Sequence, residues 1–239
     1  MPQIDCNKLQ EEVWEEGLLI SRKTTMGICA AVNTNKNMMF AGLPGTGKTM
    51  MAKVLASILF KGDLTKKFYR LTATPGITRG EFFGDWNYHK QLLEMSACKA
   101  AEVDGTCQAE VLKDIYREEN FNEGPALKAI KNNGILFIDE GNRGGEDFQN
   151  MVLEVAEEKQ VSIPLLGTIK ATEKGMPITI ITYNETDIGT EPFSDAFNRR
   201  FMRITFKQPT REDTEIILEK KHGKEYLPEV EKIIKKIIG

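Results

Sequence analysis

Apolar, β-prone residues gather in short runs at 38–42, 68–73, 135–139, 178–182 and 202–206, separated by longer segments whose apolar positions recur at helical spacing. Runs such as "ILFI" and "ITII" show no alternation with polar residues. A strand that is apolar on both faces suits a parallel sheet, because the crossover helices that connect parallel strands cover both sides of it. The pattern therefore predicts an α/β fold. Two regions interrupt it. Residues from about 85 to 123 read as an inserted element, with helical patterning in "KQLLEMSACKAAE" and "AEVLKDIYREEN" divided by a turn at Asp104-Gly105. The stretch "VSIPLLGTIKATEKGMP" has β-branched residues on both sides of Gly167 and reads either as a hairpin over about 161–175 or as a long surface loop. Past Pro209, a capping-box spacing at Thr210 and Asp213 and a helical stripe of Val230, Ile233, Ile234, Ile237 and Ile238 predict a small helical appendage over 210–239, following a core over 1–209.

The first run leads into "FAGLPGTGKTMM". Gly42, Leu43, Pro44, Gly45, Thr46, Gly47, Lys48 and Thr49 satisfy G-x-x-x-x-G-K-[ST] in full, between a predicted strand and a predicted helix. Glycines at 45 and 47 let backbone N–H groups turn inward around phosphates, and the start of the helix adds positive potential. Lys48 can reach the outer phosphates and Thr49 can offer its hydroxyl to Mg²⁺, so the stretch from Gly42 to Met50 is the candidate triphosphate site. The run "GILFIDE" ends in two carboxylates at the edge where open α/β sheets place ligands. Asp139 is suited to hold Mg²⁺ and Glu140 to polarise an attacking water. Asn184, at the end of the next run, can orient that water or touch the terminal phosphate. Arg199 and Arg200 precede the last strand, away from their own loop, where a neighbouring subunit could bring them to a nucleotide; the alternative is that they saturate helix C-terminal carbonyls.

Composition narrows the rest. A net charge of −3 argues against a strongly cationic nucleic-acid surface, and the aromatic-basic cluster in "GDWNYHKQ" has no basic stripe around it. Cys6, Cys29, Cys98 and Cys107, with His89 and His222 far apart, form no metal-ligand pattern, and the cysteines read as free thiols without a disulfide. The acidic N-terminal stretch is unlike a signal peptide and no apolar run approaches the roughly 20 residues of a membrane span, so a cytoplasmic chain without membrane contact is expected.

The strings "GLPGTGKT", "GPALKAIKNNGILFIDEGNR", "LEVAEEKQVSIP", "PITIITYNE" and "FSDAFNRRF", in that order, resemble the AAA+ ATPases and specifically their MoxR-type branch, over about residues 36–209. The resemblance implies a P-loop core with a five-stranded parallel sheet between helices, a helical lid, ATP and Mg²⁺ as ligands, and a ring, usually hexameric, with nucleotide between subunits. It also implies chaperone-like remodelling of a protein client. On matching positions Lys48 and Thr49 belong to the first nucleotide motif, Asp139 and Glu140 to the second, and Asn184 is the sensor. Arg200 is the first candidate for an intersubunit finger and Arg199 its rival. Relatives carry an insertion near the second helix and a hairpin before the sensor strand. Three departures stand out: Gly141 where an apolar residue is usual, Asn198 and Arg199 in place of "LD", and a short lid over 210–239 without a counterpart of the arginine that relatives carry on a later lid helix, for which Lys220, Lys221 and Lys224 are weak candidates. The short lid keeps open a second class, an ATP-gated assembly module with little turnover.

Overall fold

The structure is a computed structural model that describes residues 3–62, 67–100, 117–173, 176–185 and 192–222, with the side chains of 91, 94, 97–100 and 221–222 left aside. In chain order the elements are α1 (Cys6–Glu15), α2 (Arg22–Asn33), β1 (Asn37–Ala41), α3 (Lys48–Leu59), β2 (Phe68–Thr72), α4 (Arg79–Phe83), β3 (Gly84–Trp86), α5 (Tyr88–Ala100), β4 (Phe121–Glu123), α6 (Pro125–Lys131), β5 (Ile135–Asp139), α7 (Gly145–Glu158), β6 (Gln160–Ile163), β7 (Gly167–Lys170), β8 (Ile178–Tyr183), α8 (Asp195–Arg200), β9 (Phe201–Thr205) and α9 (Arg211–His222). Five strands form one parallel sheet in the order β2-β5-β8-β1-β9.

Both faces of that sheet are apolar, which is why its strands show no alternation in sequence. Met38, Phe40, Ile135, Phe137, Ile178 and Ile180 pack with α1, α2 and α3 on one side. Met39, Leu136, Ile138 and Ile181 pack with α4, α6, α7 and α8 on the other. The parallel arrangement brings the C-terminal ends of all five strands to one edge. Since β8 lies between β5 and β1, the end of β8 stands between the acidic pair and the phosphate loop.

The five strands lie within a residue of the apolar runs. The antiparallel pair β3 and β4, joining Gly84 to Glu123 and Trp86 to Phe121, was not anticipated; it closes the base of the excursion between residues 87 and 120. Trp86 stacks edge-on against Phe121, with ring centroids 5.2 Å apart. "KQLLEMSACKAAE" falls largely on α5, but residues 118–120 form a 3₁₀ turn rather than the end of a long helix, because Asn120 and Phe121 must enter the β4 pairing. The Asp104-Gly105 turn, the helix expected over 109–116, Cys107, Lys224 and the stripe from Val230 to Ile238 lie outside the described residues. β6 and β7 form an antiparallel hairpin with Ser162 opposite Thr168. At the start of α9, Thr210 N–H donates to Asp213 Oδ2 at 2.9 Å and Asp213 N–H donates to Thr210 Oγ1 at 3.1 Å, completing the capping box.

The expectation that the cysteines stay free is overturned for one pair. Cys6 and Cys29 are joined by a disulfide, with Cα atoms 5.5 Å apart. Their spacing in sequence carries no such signal. The approach is made by Asn33, whose side chain accepts from Ile4 N–H at 2.9 Å and donates to Ile4 O at 3.0 Å, pinning the start of α1 across α2.

Candidate active site

The phosphate loop turns tightly because its glycines allow it. Gly42 has φ 150°, and a Cβ there would lie 2.4 Å from the carbonyl oxygen of Phe206. Gly47, at φ 88°, ends the loop and starts α3. A Cβ on Gly47 would meet Leu18 Cδ1 at 2.5 Å, so the segment between α1 and α2 lies directly on the loop.

Lys48 is 8% exposed, and its ammonium donates to Gly42 O at 2.7 Å, Leu43 O at 2.8 Å and Asn184 Oδ1 at 3.0 Å. All three of its protons are thus committed. Burial lowers its pKa from the ordinary lysine value, opposed by the negative charges of Asp139 and Glu185. A phosphate oxygen is a stronger acceptor than a backbone carbonyl, so the lysine is placed to exchange one for the other. Thr46 Oγ1 donates to Leu43 O at 2.9 Å and braces the same turn.

Asp139, at the end of β5, accepts from Thr182 Oγ1 at 2.5 Å on Oδ1 and from Arg70 Nη2 at 2.7 Å on Oδ2. Glu140 follows in a left-handed conformation, φ 54° and ψ 41°, with its N–H donating to Thr182 Oγ1 at 3.2 Å. Its carboxylate pairs with Arg143 at 2.9 Å. Asn142, 5% exposed, donates from Nδ2 to Asn184 O at 3.4 Å and fixes the turn in which Asn184 sits. Its Oδ1 is buried without a hydrogen-bond partner among the described residues, an acceptor that an ordered water would satisfy.

The geometry therefore joins Lys48, Asn184, Asp139 and Glu140 in one connected set at the sheet edge. Thr49 opens α3 beside Lys48. The hydroxyl of Thr49 and the carboxylate of Asp139 are hard oxygen donors of the kind Mg²⁺ takes, and the oxygen of Asp139 now paired with the half-exposed Arg70 guanidinium is the one a metal ion would take over. The residues fit the metal.

Arg200 is placed differently. Its Nε and Nη2 donate to Glu157 at 3.1 and 3.0 Å, and Nη1 donates to Ala196 O at 3.0 Å, so within the chain it ties α8 to α7 and caps its own helix. Arg199 is exposed and makes no ion pair or hydrogen bond among the described residues. Lys220 lies over the Trp14 ring, 4.1 Å from its centroid, and donates to Trp14 O, which docks α9 on α1 rather than on the phosphate loop.

Sequence reasoning missed Leu18, Arg70, Thr182 and Asn142, all of which act through contacts distant in sequence. It also missed a cleft of about 220 Å³ lined by Leu19, Ile20, Ser21, Phe206, Pro209 and Thr210. That cleft adjoins the loop at Phe206, and its walls mix Leu19, Ile20, Phe206 and Pro209 with the polar side chains of Thr24, Lys207, Gln208 and Asp213. A larger cavity of about 530 Å³ between α1 and α3 is lined by Asp5, Glu12, Glu15 and Glu16 together with Lys8 and Lys61, a balance of charge that remains negative and does not favour a polyphosphate.

Comparison with known proteins gives a consistent result. The model of the AAA domain, dynein-related subfamily, matches residues 37–201. An uncharacterised protein of Staphylococcus aureus strain USA300 is 24% identical over 176 residues, which cover 73% of this chain and 57% of the relative. A protein of strain NCTC 8325 / PS 47 matches to the same extent, so the chain spans little more than half the length of these curated relatives. Among solved structures, a candidate ATPase from Cytophaga hutchinsonii superposes with a TM-score of 0.57 at 21% identity, over 90% of this chain and 55% of that one. The Hsp104–ADP complex of S. cerevisiae gives 0.56 at 16% identity, over 92% of this chain and 39% of that one. At such identities these structures speak for the fold.

Proposed function

The chain belongs to the AAA domain family, dynein-related subfamily, and from that premise we propose that it is an Mg²⁺-dependent ATPase of the MoxR-type branch that works in a ring of its own copies to remodel a protein client. The observation that carries this reading is the hydrogen bond between Lys48 Nζ and Asn184 Oδ1, 3.0 Å long, which unites the phosphate loop with the strand bordering the acidic pair. A triphosphate laid on the loop would reach that junction with its terminal phosphate. Hsp104, similar in fold, was solved with ADP, which supports an adenine nucleotide as the kind of ligand proposed.

The chain's residues divide the work. The loop N–H groups and Lys48 bind the phosphates and hold the terminal one at the strand edge. Asn184 orients water from the neighbouring strand. Glu140 takes the proton of the attacking water as its oxygen bonds to the terminal phosphorus, and the bond to the bridging oxygen breaks with its electron pair leaving on ADP. Mg²⁺, held by Thr49 and Asp139, supplies charge neutralisation for the phosphate oxygens when bound.

A second reading, the ATP-gated assembly module, is favoured by the pairing of Glu140 with Arg143, which holds the base on its own loop. Titration calorimetry with ATP and Mg²⁺, alongside phosphate release, separates them. The parent chain is expected to bind and turn over ATP, and Lys48→Ala to lose binding. Unchanged affinity in Lys48→Ala would rule out the assigned site, and tight binding without turnover, with or without a candidate client, would favour the gated module.

A further inference from the structure

We propose that the buried hydroxyl of Thr182 is the positioning group for both carboxylates of the acidic pair, so that β8 sets the stance of Asp139 and Glu140 as well as that of Lys48. The proposal rests on the ATP and Mg²⁺ reading above. Thr182 is 1% exposed, and no bulk water competes for its hydroxyl. An amide N–H can only donate, so the Glu140 N–H, 3.2 Å away, occupies a lone pair of Thr182 Oγ1. The single hydroxyl proton is then left for Asp139 Oδ1 at 2.5 Å, which as a carboxylate can only accept.

The position in the sheet explains why a side chain is needed. The pairing of β5 with β8 ends at Ile138 opposite Ile181, so the Glu140 amide lies past the last rung of the ladder. Thr182 continues the pairing with its side chain where the backbone no longer can. Glu140 adopts φ 54°, which disfavours a residue with a Cβ, and the bond from its amide is a restraint that holds it there. Asp139 is gripped from both sides, by Thr182 on β8 and by Arg70 on β2. Arg70 is half exposed and exchangeable with a metal or solvent, whereas Thr182 is not. Two residues beyond Thr182, Asn184 accepts from Lys48, so one strand end carries restraints on both halves of the site.

The test compares Thr182→Val, which keeps the β-branched shape without the hydroxyl, with Thr182→Ser, which keeps the hydroxyl. Equilibrium binding of a fluorescent ATP analogue is measured for the full chain in EDTA and in Mg²⁺, together with phosphate release and a melting curve. Thr182→Val is expected to bind metal-free nucleotide as the parent does and to lose about 10- to 100-fold of the tightening that Mg²⁺ gives, the range seen when a group orienting a metal ligand is removed. Thr182→Ser is expected to recover it. If the valine variant does not fold, Thr182→Ala replaces it in the same comparison. A hydroxyl-free variant that tightens with Mg²⁺ like the parent, an equal loss in the serine variant, or a parallel loss of metal-free binding overturns the proposal. A parent chain whose ATP affinity ignores Mg²⁺ removes both this proposal and the functional reading, whereas normal tightening in parent and valine variant alike removes this one alone.

Discussion

Lys48 and Glu140 both stand engaged to groups of their own chain, Lys48 on two carbonyls and Asn184, Glu140 on Arg143. For Glu140, proposed as the base, the consequence is testable. Glu140→Gln keeps the volume and the left-handed turn but loses the carboxylate that accepts a proton, so ATP binding should persist while phosphate release falls about 10²- to 10⁴-fold. Multiple turnovers at the parent rate would remove Glu140 from that role. Asn184→Ala takes one of three acceptors from Lys48 and the side chain best placed to orient water. It should lower the hydrolysis rate more than ATP affinity, as separate titrations and single-turnover measurements would reveal; the reverse order would make Asn184 a binding group only. The loop, the acidic pair and Asn184 were legible because each is a short string with chemistry attached. Thr182 was not, since its contact to Glu140 spans 42 residues and its sequence setting is that of any buried strand threonine.

At the scale of elements, the lower end of the sheet is tied by Lys159, which closes α7 in a left-handed conformation and donates to Asn37 Oδ1 at 2.9 Å and Pro177 O at 2.7 Å. Burial lowers its pKa from 10.5 to about 8. The unfolded chain therefore holds this proton more tightly than the folded one, and between about pH 8 and pH 10.5 the unfolded state binds more protons. Stability contributed at this position must rise with pH across that window, by roughly 3 kcal/mol at most. Chemical denaturation of the parent and of Lys159→Met from pH 7.5 to 10.5 should give a stability difference that moves in the parent's favour as pH rises; a difference independent of pH would show that the ammonium keeps its ordinary affinity. At the opposite edge, Gly42→Ala would drive a Cβ against the Phe206 carbonyl, and should lower both the melting temperature and ATP affinity by prising the loop from the end of β9. A variant with parent-like values for both would mean the loop shifts freely. The five strands could be read from sequence because strands buried on both faces are continuous apolar runs. The β3–β4 pair could not, since strands of three residues carry too little periodicity, and the Cys6–Cys29 disulfide depends on how Asn33 folds the chain start across α2.

At the scale of the whole molecule, the question is whether a site on one chain is completed by another. Arg200 has two bonds to Glu157 and one to Ala196 O, so using it across a boundary would require breaking an ion pair between α7 and α8. Arg199, next to it and exposed, makes no such pair among the described residues. Sequence resemblance put Arg200 first; these contacts favour Arg199 as the residue that reaches a neighbouring nucleotide. An arginine that does so is worth about 10³ to 10⁵ in rate. Arg199→Ala should thus bind ATP normally and hydrolyse it slowly, and Glu140→Gln should be equally slow for a different reason. Mixed together, the two variants create interfaces in which an intact Glu140 of one subunit faces an intact Arg199 of its neighbour, so phosphate release should partly return. Arg200→Ala mixed in the same way should gain nothing, because its effect is confined to a partly exposed ion pair worth about 0–1 kcal/mol. Size-exclusion chromatography must show that mixed oligomers form. If they do, and Arg200→Ala is the variant rescued while Arg199→Ala is not, the Glu157 pair is a resting contact that opens on assembly. If neither is rescued, no arginine of α8 acts across a boundary and both serve as helix-end cations.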